Sequence, residues 1–163
     1  EEGIQADGFL FVAVLKACTS LEALDKGKCI HIDLTKIGLG LDLFVGSTVV
    51  DMYIKCGCLD DAWAMFEKMV AKDVVAWSAL ISGYVQIDRA SEAFNCLERM
   101  KREGISPNAI TLICAMNACG SIGIREIAES LHAEISKRKL LETDIVVGNT
   151  LVDMYAKGWA GFR

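Results

Sequence analysis

Apolar residues recur along this chain at the spacing of an α-helix. Segment 77–84 (Trp-x-x-Leu-Ile-x-x-Tyr) places them at i, i+3, i+4 and i+7, and segment 93–100 (Ala-Phe-x-x-Leu-x-x-Met) shows a similar spacing. Gly57, Gly104 and Gly123 stand between such runs, where a helix end favours a residue that takes a positive φ. Sustained period-2 alternation and Asn-Gly hairpin signals are absent from the sequence. The pattern therefore predicts pairs of short helices and no strands.

The chain also repeats itself at long range. His31 recurs as His132, 101 residues later, and segment 51–55 (Asp-Met-Tyr-Ile-Lys) recurs as segment 153–157 (Asp-Met-Tyr-Ala-Lys), 102 residues later. One residue has therefore been gained between His132 and Asp144. Self-similarity that keeps its register over such distances is typical of a repeat architecture.

Shorter offsets divide the long period. An offset of 31 pairs Ser47 with Ser78, and an offset of 35 pairs Ser78 with Ile113. The predicted repeats are about 8–42, 43–73, 74–108 and 109–144, followed by an incomplete repeat at 145–163 in one continuous array. A single helical hairpin cannot bury its apolar face, whereas stacked neighbours form a continuous core. The predicted fold is an all-α, right-handed α-solenoid of stacked helix-turn-helix hairpins.

The repeats resemble those of the plant pentatricopeptide repeat (PPR) family, in its PLS subfamily, whose repeats alternate in length. Segment 73–84 (Asp-Val-Val-Ala-Trp-Ser-Ala-Leu-Ile-Ser-Gly-Tyr) is similar to the ordinary repeat, segment 43–57 to the short repeat and segment 14–31 to the long repeat. On this resemblance, 8–42 and 109–144 are long, 43–73 is short, 74–108 is ordinary and 145–163 is a partial short repeat. The tetratricopeptide repeat is disfavoured because its length is constant. Both ends depart from the family pattern, so we expect a fragment of a longer array or a truncated chain whose terminal hairpins fray.

The resemblance implies sequence-specific binding of single-stranded RNA with one base per repeat. It further implies a protein of the mitochondrion or chloroplast that acts in RNA modification, editing or processing, in some cases beside other factors. In the family, the fifth and last residues of a repeat select the base, and the second packs against base faces. Carried over to this chain, the base-selecting residues are Ser47 with Asp73, Ser78 with Asn108, Val12 with Asp42, Ile113 with Asp144 (or Thr143), and Asn149. The base-packing residues are Phe9, Phe44, Val75, Ile110 and Val146.

The selecting residues predict different bases. The hydroxyl and carboxylate of repeat 43–73 can accept from the N–H edge of guanine, and the hydroxyl and amide of repeat 74–108 suit adenine. With the parallel polarity that the resemblance implies, the expected order is 5′-G-A-3′. The long repeats should be nearly indifferent to the base because valine and isoleucine side chains form no hydrogen bonds. The alternative interpretation is that Ser47, Ser78 and Asn149 are ordinary polar residues at helix starts, where serine and asparagine cap helices.

Charge weighs against the RNA hypothesis. The net charge is −5 and the pI is about 5.1, whereas strong non-specific RNA binding depends on lysine and arginine neutralising phosphates. A local groove can still be positive on an acidic protein. On charge alone, the favoured alternative is a helical-repeat scaffold for protein–protein interaction. No run approaches the roughly 18 apolar residues of a membrane span, and no membrane or small-molecule partner is expected.

We expect no enzyme activity in this segment. Many PPR proteins of this branch end in a cytidine-deaminase-like domain, whose chemistry needs a His-x-Glu together with a Cys-x-x-Cys to hold zinc and move the proton. We expect neither motif in this chain. His31 and His132 occupy equivalent positions, which favours repeated packing over a single active site.

The seven cysteines are expected to be reduced thiols, most of them small buried residues between helices. Cys56-Gly-Cys58 lacks a second pair, so it is a weak metal motif. A metal-dependent enzyme built on Cys56, Cys58 and a histidine is the second alternative. No metal or cofactor is expected.

Overall fold

The described part of the chain is helical. The computed structural model describes residues 8–39 and 42–159, with only the backbone of Trp159. In chain order the helices are α1 (Gly8–Ser20), α2 (Leu24–Lys36), α3 (Leu43–Lys55), α4 (Leu59–Lys68), α5 (Val74–Gln86), α6 (Ala90–Arg102), α7 (Ala109–Ile122), α8 (Arg125–Lys137), α9 (Leu140–Thr143) and α10 (Ile145–Trp159). These ranges contain no strand, and the prediction of an all-α fold is confirmed.

Helix starts coincide with the starts of the predicted repeats. The helices α1, α3, α5, α7 and α10 begin at the first residues of the five repeats. The short helix α9 lies where the extra residue was placed between His132 and Asp144, and it follows Lys139, whose φ is 57°. Each complete repeat thus contributes one helix pair, and repeat 109–144 also contains the short helix α9.

The structure divides into two compact halves, Glu1–Leu80 and Ile81–Arg163, and the boundary falls inside α5. In the N-terminal half, α1 packs against α2 and α3, and α3 packs against α4. Leu15, Leu34 and Met52 are fully buried between these helices. Phe66 of α4 meets Trp77 of α5 edge to face, with ring centroids 4.6 Å apart. Aromatic pairs in this arrangement stabilise a core beyond their burial.

In the C-terminal half, α7 is the central element and packs against α6, α8 and α10. The buried residues Met100, Leu112, Ile135 and Met154 come from these four helices. Gly120 permits the close approach of α7 and α10, since a Cβ at this position would lie 3.4 Å from the Cα of Met154. The core of this half is therefore built around the face that α7 presents to α10.

The two histidines make the same contact in the two halves. Nδ1 of His31 lies 2.9 Å from the hydroxyl of Tyr53, and Nδ1 of His132 lies 3.1 Å from the hydroxyl of Tyr155. Both ring pairs meet edge to face. Burial lowers the pKa of His31, and the charge of Lys68 lowers this pKa further. The repeated histidine thus joins neighbouring helices, as its repeated position predicts.

The cysteines are free thiols, and Cys18 and Cys119 are buried at equivalent positions. The expectation that most of the cysteines are buried is wrong, because only Cys18, Cys96 and Cys119 are buried. Cys29 is exposed, and the other three are half-buried. Burial raises the pKa of Cys56 and Cys119 above the usual thiol value, so both are protonated at neutral pH. Across the described ranges, no group of three His, Cys, Asp or Glu side chains is placed to hold a metal ion. None of the described helices combines the length and apolar character that crossing a bilayer requires.

Replacing Gly123 with alanine is expected to lower the free energy of unfolding by about 2 kcal/mol. Gly123 ends α7 with a φ of 65°, which is unfavourable for any residue with a Cβ. The added Cβ would also lie 3.2 Å from the carbonyl oxygen of Gly158. Urea unfolding followed by circular dichroism measures the loss.

Gly104→Ala is the matched control, since Gly104 has a φ of 78° and no atom within 4 Å of an added Cβ. Only the backbone cost applies there, so a loss of about 1 kcal/mol is expected. Equal losses at the two glycines would show that the approach of Gly123 to Gly158 contributes nothing.

Candidate nucleic-acid interface

The five residues expected to pack against bases are all exposed apolar side chains. Their exposed fractions are 74% for Phe9, 53% for Phe44, 60% for Val75, 62% for Ile110 and 53% for Val146. Each is the second residue of its helix. Exposed apolar residues at one recurring helical position indicate contact with a ligand more than they indicate the core.

Phe9 and Phe44 already touch each other. Their ring centroids are 5.9 Å apart, with the planes tilted by 55°. A base held between two rings needs about 7–8 Å, which is two van der Waals separations. The space between Phe9 and Phe44 is therefore too narrow for a base in this structure.

The serines at the fifth position bond back to their own helices. Oγ of Ser47 donates to the carbonyl oxygen of Leu43, and Oγ of Ser78 donates to that of Val74, both over 2.6 Å. A hydroxyl carries one proton and can accept as well as donate. With the proton engaged in this bond, each serine can offer a ligand only an acceptor.

The residues expected to end each repeat are helix caps. Oδ1 of Asp42 accepts from the backbone N–H of Phe44 and Val45, and Oδ1 of Asp73 accepts from that of Ala76 at 2.9 Å. The capping interpretation of Ser47, Ser78 and Asn149 is thus wrong, because each of these three is the fifth residue of its helix.

The same cap recurs in the C-terminal half. Asn108 forms a capping box with Thr111, and Oδ1 of Asp144 accepts from the N–H of Val146 and Val147. In all four caps the bonds to backbone N–H groups use Oδ1. The second polar atom of each side chain, Oδ2 in aspartate and Nδ2 in asparagine, takes no part in them.

The selecting residues of the long and partial repeats differ in burial. Val12 is buried, with 5% of its surface exposed, and Ile113 is half-buried. Asp42, Thr143 and Asn149 are exposed, and Asp144 is half-buried. The long repeats therefore present no polar fifth side chain.

One cavity gathers the predicted residues of the short repeat. It measures about 370 Å³ and is lined by Phe44, Ser47, Asp73 and Val75, together with Lys16, Thr48, Asp51 and Ala79. The first four are the second, fifth and last residues of repeat 43–73 and the second residue of the next repeat. The volume falls at the lower end of the range for ligand sites, roughly 300–1,000 Å³. All eight residues belong to the N-terminal half.

Lys16 and Asp51 are lining residues that the sequence pattern did not identify. Lys16 is exposed on α1, which belongs to the preceding repeat. Asp51 accepts from Nζ of Lys55 at 2.8 Å, so a cation already faces this carboxylate. No local signal could have found Lys16, because its place depends on how α1 stacks against α3.

Ser78 and Asn108 belong to different halves of the structure and are described separately. Ser78 is buried on α5 with 6% of its surface exposed, and Asn108 is half-buried at the start of α7. Their joint selection of a base stays a prediction from the resemblance.

The expectation that the chain lacks a His-x-Glu is wrong, because the sequence contains His132-Ala-Glu134. Nδ1 of this histidine faces Tyr155. Glu134 pairs with Lys101 at 3.0 Å and with Arg138 at 2.6 Å. The sequence contains no Cys-x-x-Cys to complete a deaminase zinc site. Both residues thus have structural partners within their half.

Comparison with known proteins identifies the repeats. A family model described as "PPR repeat family" matches residues 72–121, and a second described as "PPR repeat" matches residues 47–74. Two similar proteins of Arabidopsis thaliana are pentatricopeptide repeat-containing protein At2g13600 and the chloroplastic protein At4g18520. The first is 34% identical over 96% of this chain and 22% of its own length, and the second is 36% identical over 93% and 24%. A mitochondrial relative, At1g06140, is 34% identical over 96% of this chain and 28% of its own length. The chain thus spans about a fifth to a quarter of these relatives.

Solved structures show the same fold. The pentatricopeptide repeat protein PPR10 in complex with an 18-nucleotide psaJ RNA element superimposes with a TM-score of 0.76 at 21% identity, covering 95% of this chain and 23% of PPR10. PPR10 from maize, in a further crystal structure, gives a TM-score of 0.63 at 24% identity, covering 95% of this chain and 22% of PPR10. The predicted α-solenoid of stacked helical hairpins is confirmed.

Proposed function

Because this chain is an array of pentatricopeptide repeats, we propose that it binds single-stranded RNA and selects its sequence with one base per repeat. The observation that carries the proposal is the cavity of repeat 43–73, where Phe44, Ser47, Asp73 and Val75 come together. The solved complex of PPR10 with an RNA element supports RNA as the ligand class.

The polar groups of this cavity suit guanine. Oγ of Ser47 can only accept from a ligand, because its hydroxyl proton is already donated in the hydrogen bond to the carbonyl oxygen of Leu43. Asp73 holds its helix cap with Oδ1, which leaves Oδ2 as a second acceptor beside it. Guanine presents two adjacent N–H donors, N1–H and the N2 amino group, along its pairing edge. At these two places adenine carries the acceptor N1 and a C–H group, so one acceptor of the cavity would face the acceptor N1 of adenine.

The apolar walls suit the face of a base. Phe44 and Val75 line the same cavity and are each more than half exposed. Stacking on such side chains contributes about 1–3 kcal/mol per base and does not depend on which base is bound. Affinity at this repeat thus comes from the walls and selectivity from the polar pair.

The remaining repeats contribute unequally. Repeat 74–108 selects adenine through Ser78 and Asn108, so the preferred dinucleotide is 5′-G-A-3′. Repeat 8–42 is indifferent to the base because Val12 is apolar and buried. Repeat 109–144 is likewise indifferent, as Ile113 offers no hydrogen bond. Over about four bases, stacking contributes roughly 4–12 kcal/mol, which is no more than the roughly 4–15 kcal/mol that association costs, so this chain alone binds weakly.

The wider role follows from the family. We assign the chain to a protein of the mitochondrion or chloroplast that acts in RNA editing, modification or processing beside other factors of that process. The relatives named mitochondrial and chloroplastic support an organelle. This chain acts by binding, and any chemistry on the RNA belongs to another domain or partner.

A scaffold for protein–protein interaction is the second candidate, favoured by the net charge of −5. Such a scaffold would bind a peptide, and substitutions at Ser47 or Asp73 that exchange one polar group for another would leave its binding unchanged. Base-dependent RNA binding would exclude it as the main function of this surface.

The proposal predicts that the chain prefers guanine at repeat 43–73. RNA hexanucleotides 5′-UUGAUU-3′ and 5′-UUAAUU-3′ are titrated into isotopically labelled protein, and amide NMR shifts give dissociation constants in the millimolar range. The guanine RNA should bind roughly 5- to 150-fold more tightly, with the largest shifts near Ser47 and Ala76. Equal affinity for the two RNAs, or shifts elsewhere on the chain, would contradict base selection by this repeat.

A further inference from the structure

Lys16 is a cavity residue to which the two-residue selection rule gives no role. It lies on α1 one turn after Val12 and lines the same cavity as Ser47 and Asp73. Lys16 thus belongs to the long repeat 8–42, whereas the cavity is that of the next repeat, 43–73. An ammonium group is a donor with no acceptor capacity, so it adds the one kind of group that the serine and aspartate lack.

We infer that Lys16 donates a hydrogen bond to O6 of the guanine bound by repeat 43–73 and is a third specificity-determining residue for that base. The inference rests on the proposed function. Guanine presents two N–H donors and the O6 acceptor in a row along its pairing edge. Ser47 and Asp73 accept from the two donors, and Lys16 supplies the donor for O6. At the corresponding place adenine carries an amino group, which an ammonium group repels.

The charges of the cavity support this role. Asp51 and Asp73 both line the cavity, and two carboxylates would disfavour a polyanion such as RNA. Lys55 pairs with Asp51 at 2.8 Å, which leaves the positive charge of Lys16 to balance Asp73. A charge-assisted hydrogen bond to O6 is about twice as strong as one between neutral groups. Discrimination against adenine therefore has an attractive and a repulsive component.

A lysine at an RNA site can instead bind a phosphate. The two roles differ in whether the contribution of the lysine to affinity depends on the base. A phosphate contact strengthens binding of every RNA alike, whereas a contact to O6 requires the guanine base. An RNA that lacks the base at this one position separates the roles. Lys16→Met keeps the approximate length and the apolar stem of the side chain and removes the ammonium group, which is both the donor and the positive charge.

The experiment titrates the 163-residue chain and its Lys16→Met variant with three hexanucleotides. These carry guanine, adenine or an abasic nucleotide at the position that faces repeat 43–73. We expect Lys16→Met to bind the guanine RNA about tenfold more weakly and the abasic RNA within about twofold of the parent. The adenine RNA should bind more tightly to the variant than to the parent, because the repulsion between the ammonium group and the amino group of adenine is lost. Lys16→Arg, which restores a cationic donor, should recover most of the loss. Lys36→Met is the matched control, since Lys36 is exposed in the same half and pairs with Asp33 outside the cavity.

Three results would overturn the inference. An equal loss on all three RNAs would make Lys16 a phosphate contact, and no loss on any RNA would remove it from the site. In both cases a guanine preference in the parent chain would leave the proposed function standing. A parent chain without a guanine preference would instead refute the proposed selection at this repeat, and the role of Lys16 with it.

Discussion

Replacing Asp73 with asparagine is expected to change the base preferred by repeat 43–73 from guanine to adenine. Oδ1 of the asparagine can still accept from the N–H of Ala76, as Oδ1 of the aspartate does, so the helix cap is kept. The remaining polar atom changes from an acceptor to an amide donor. This donor faces the N1–H donor of guanine unfavourably and matches the acceptor N1 of adenine. The ratio of guanine to adenine affinity should fall by roughly 25-fold or more, because the substitution removes a hydrogen bond to guanine and adds one to adenine. Titration with the two hexanucleotides measures both affinities.

Asp42→Asn is the matched control for this substitution. Asp42 caps α3 through Oδ1, as Asp73 caps α5, but the fifth residue of its repeat is the buried Val12. Its replacement should leave the base preference unchanged. An equal weakening of all RNAs by Asp73→Asn would show that the carboxylate acts through charge alone. Since Lys16 repels the amino group of adenine, the change of preference should be larger when Lys16→Met is combined with Asp73→Asn.

Much of the fold could be predicted because its signals are local. The apolar period of segments such as 77–84 depends on a few neighbouring residues, and helices lie where this period occurs. The offsets between Ser47, Ser78 and Ile113 place repeat starts where helices begin, because in a stacked array each repeat keeps the same local structure.

The candidate site could be predicted only in part. The exposure of Phe44 and Val75 agrees with a contact role, since a core role would bury them. The caps formed by Asp73 and Asn108 were missed, although aspartate and asparagine before a helix are an ordinary local signal. The serines Ser47 and Ser78 lie one turn too late in their helices to act as caps.

Other features of the site are beyond any local pattern. Lys16 reaches the cavity only because α1 stacks against α3, and its distance in sequence from Asp73 gives no hint of this. The bond from Ser47 to Leu43 depends on a side-chain rotamer, and that bond decides whether the serine donates or accepts. The net charge of −5 is a sum over the whole chain and does not indicate where a single lysine lies beside a cavity.

Replacing Phe44 with alanine is expected to weaken RNA binding by roughly 5- to 150-fold, whichever base faces the repeat. Phe44 forms a wall of the cavity with 53% of its surface exposed, so its ring can stack on a bound base. Stacking requires only a flat face, so the ratio of guanine to adenine affinity should stay the same. The free energy of unfolding should change little, because the ring is half exposed and its aromatic contact is with the exposed Phe9. The hexanucleotide titrations and a urea unfolding curve measure the two effects.

Ile32→Ala is the control, since Ile32 is a similarly exposed apolar residue, at 55%, on α2 of the same half and outside the cavity lining. It should leave RNA binding unchanged, which separates stacking at the cavity from general loss of apolar surface. Unaltered binding by Phe44→Ala would mean that the base does not lie on this ring. A loss of the guanine preference itself would mean that Phe44 holds the base in register with Ser47 and Asp73. Phe44→Leu would distinguish these roles further, because leucine keeps an apolar wall and removes the flat face on which a base stacks.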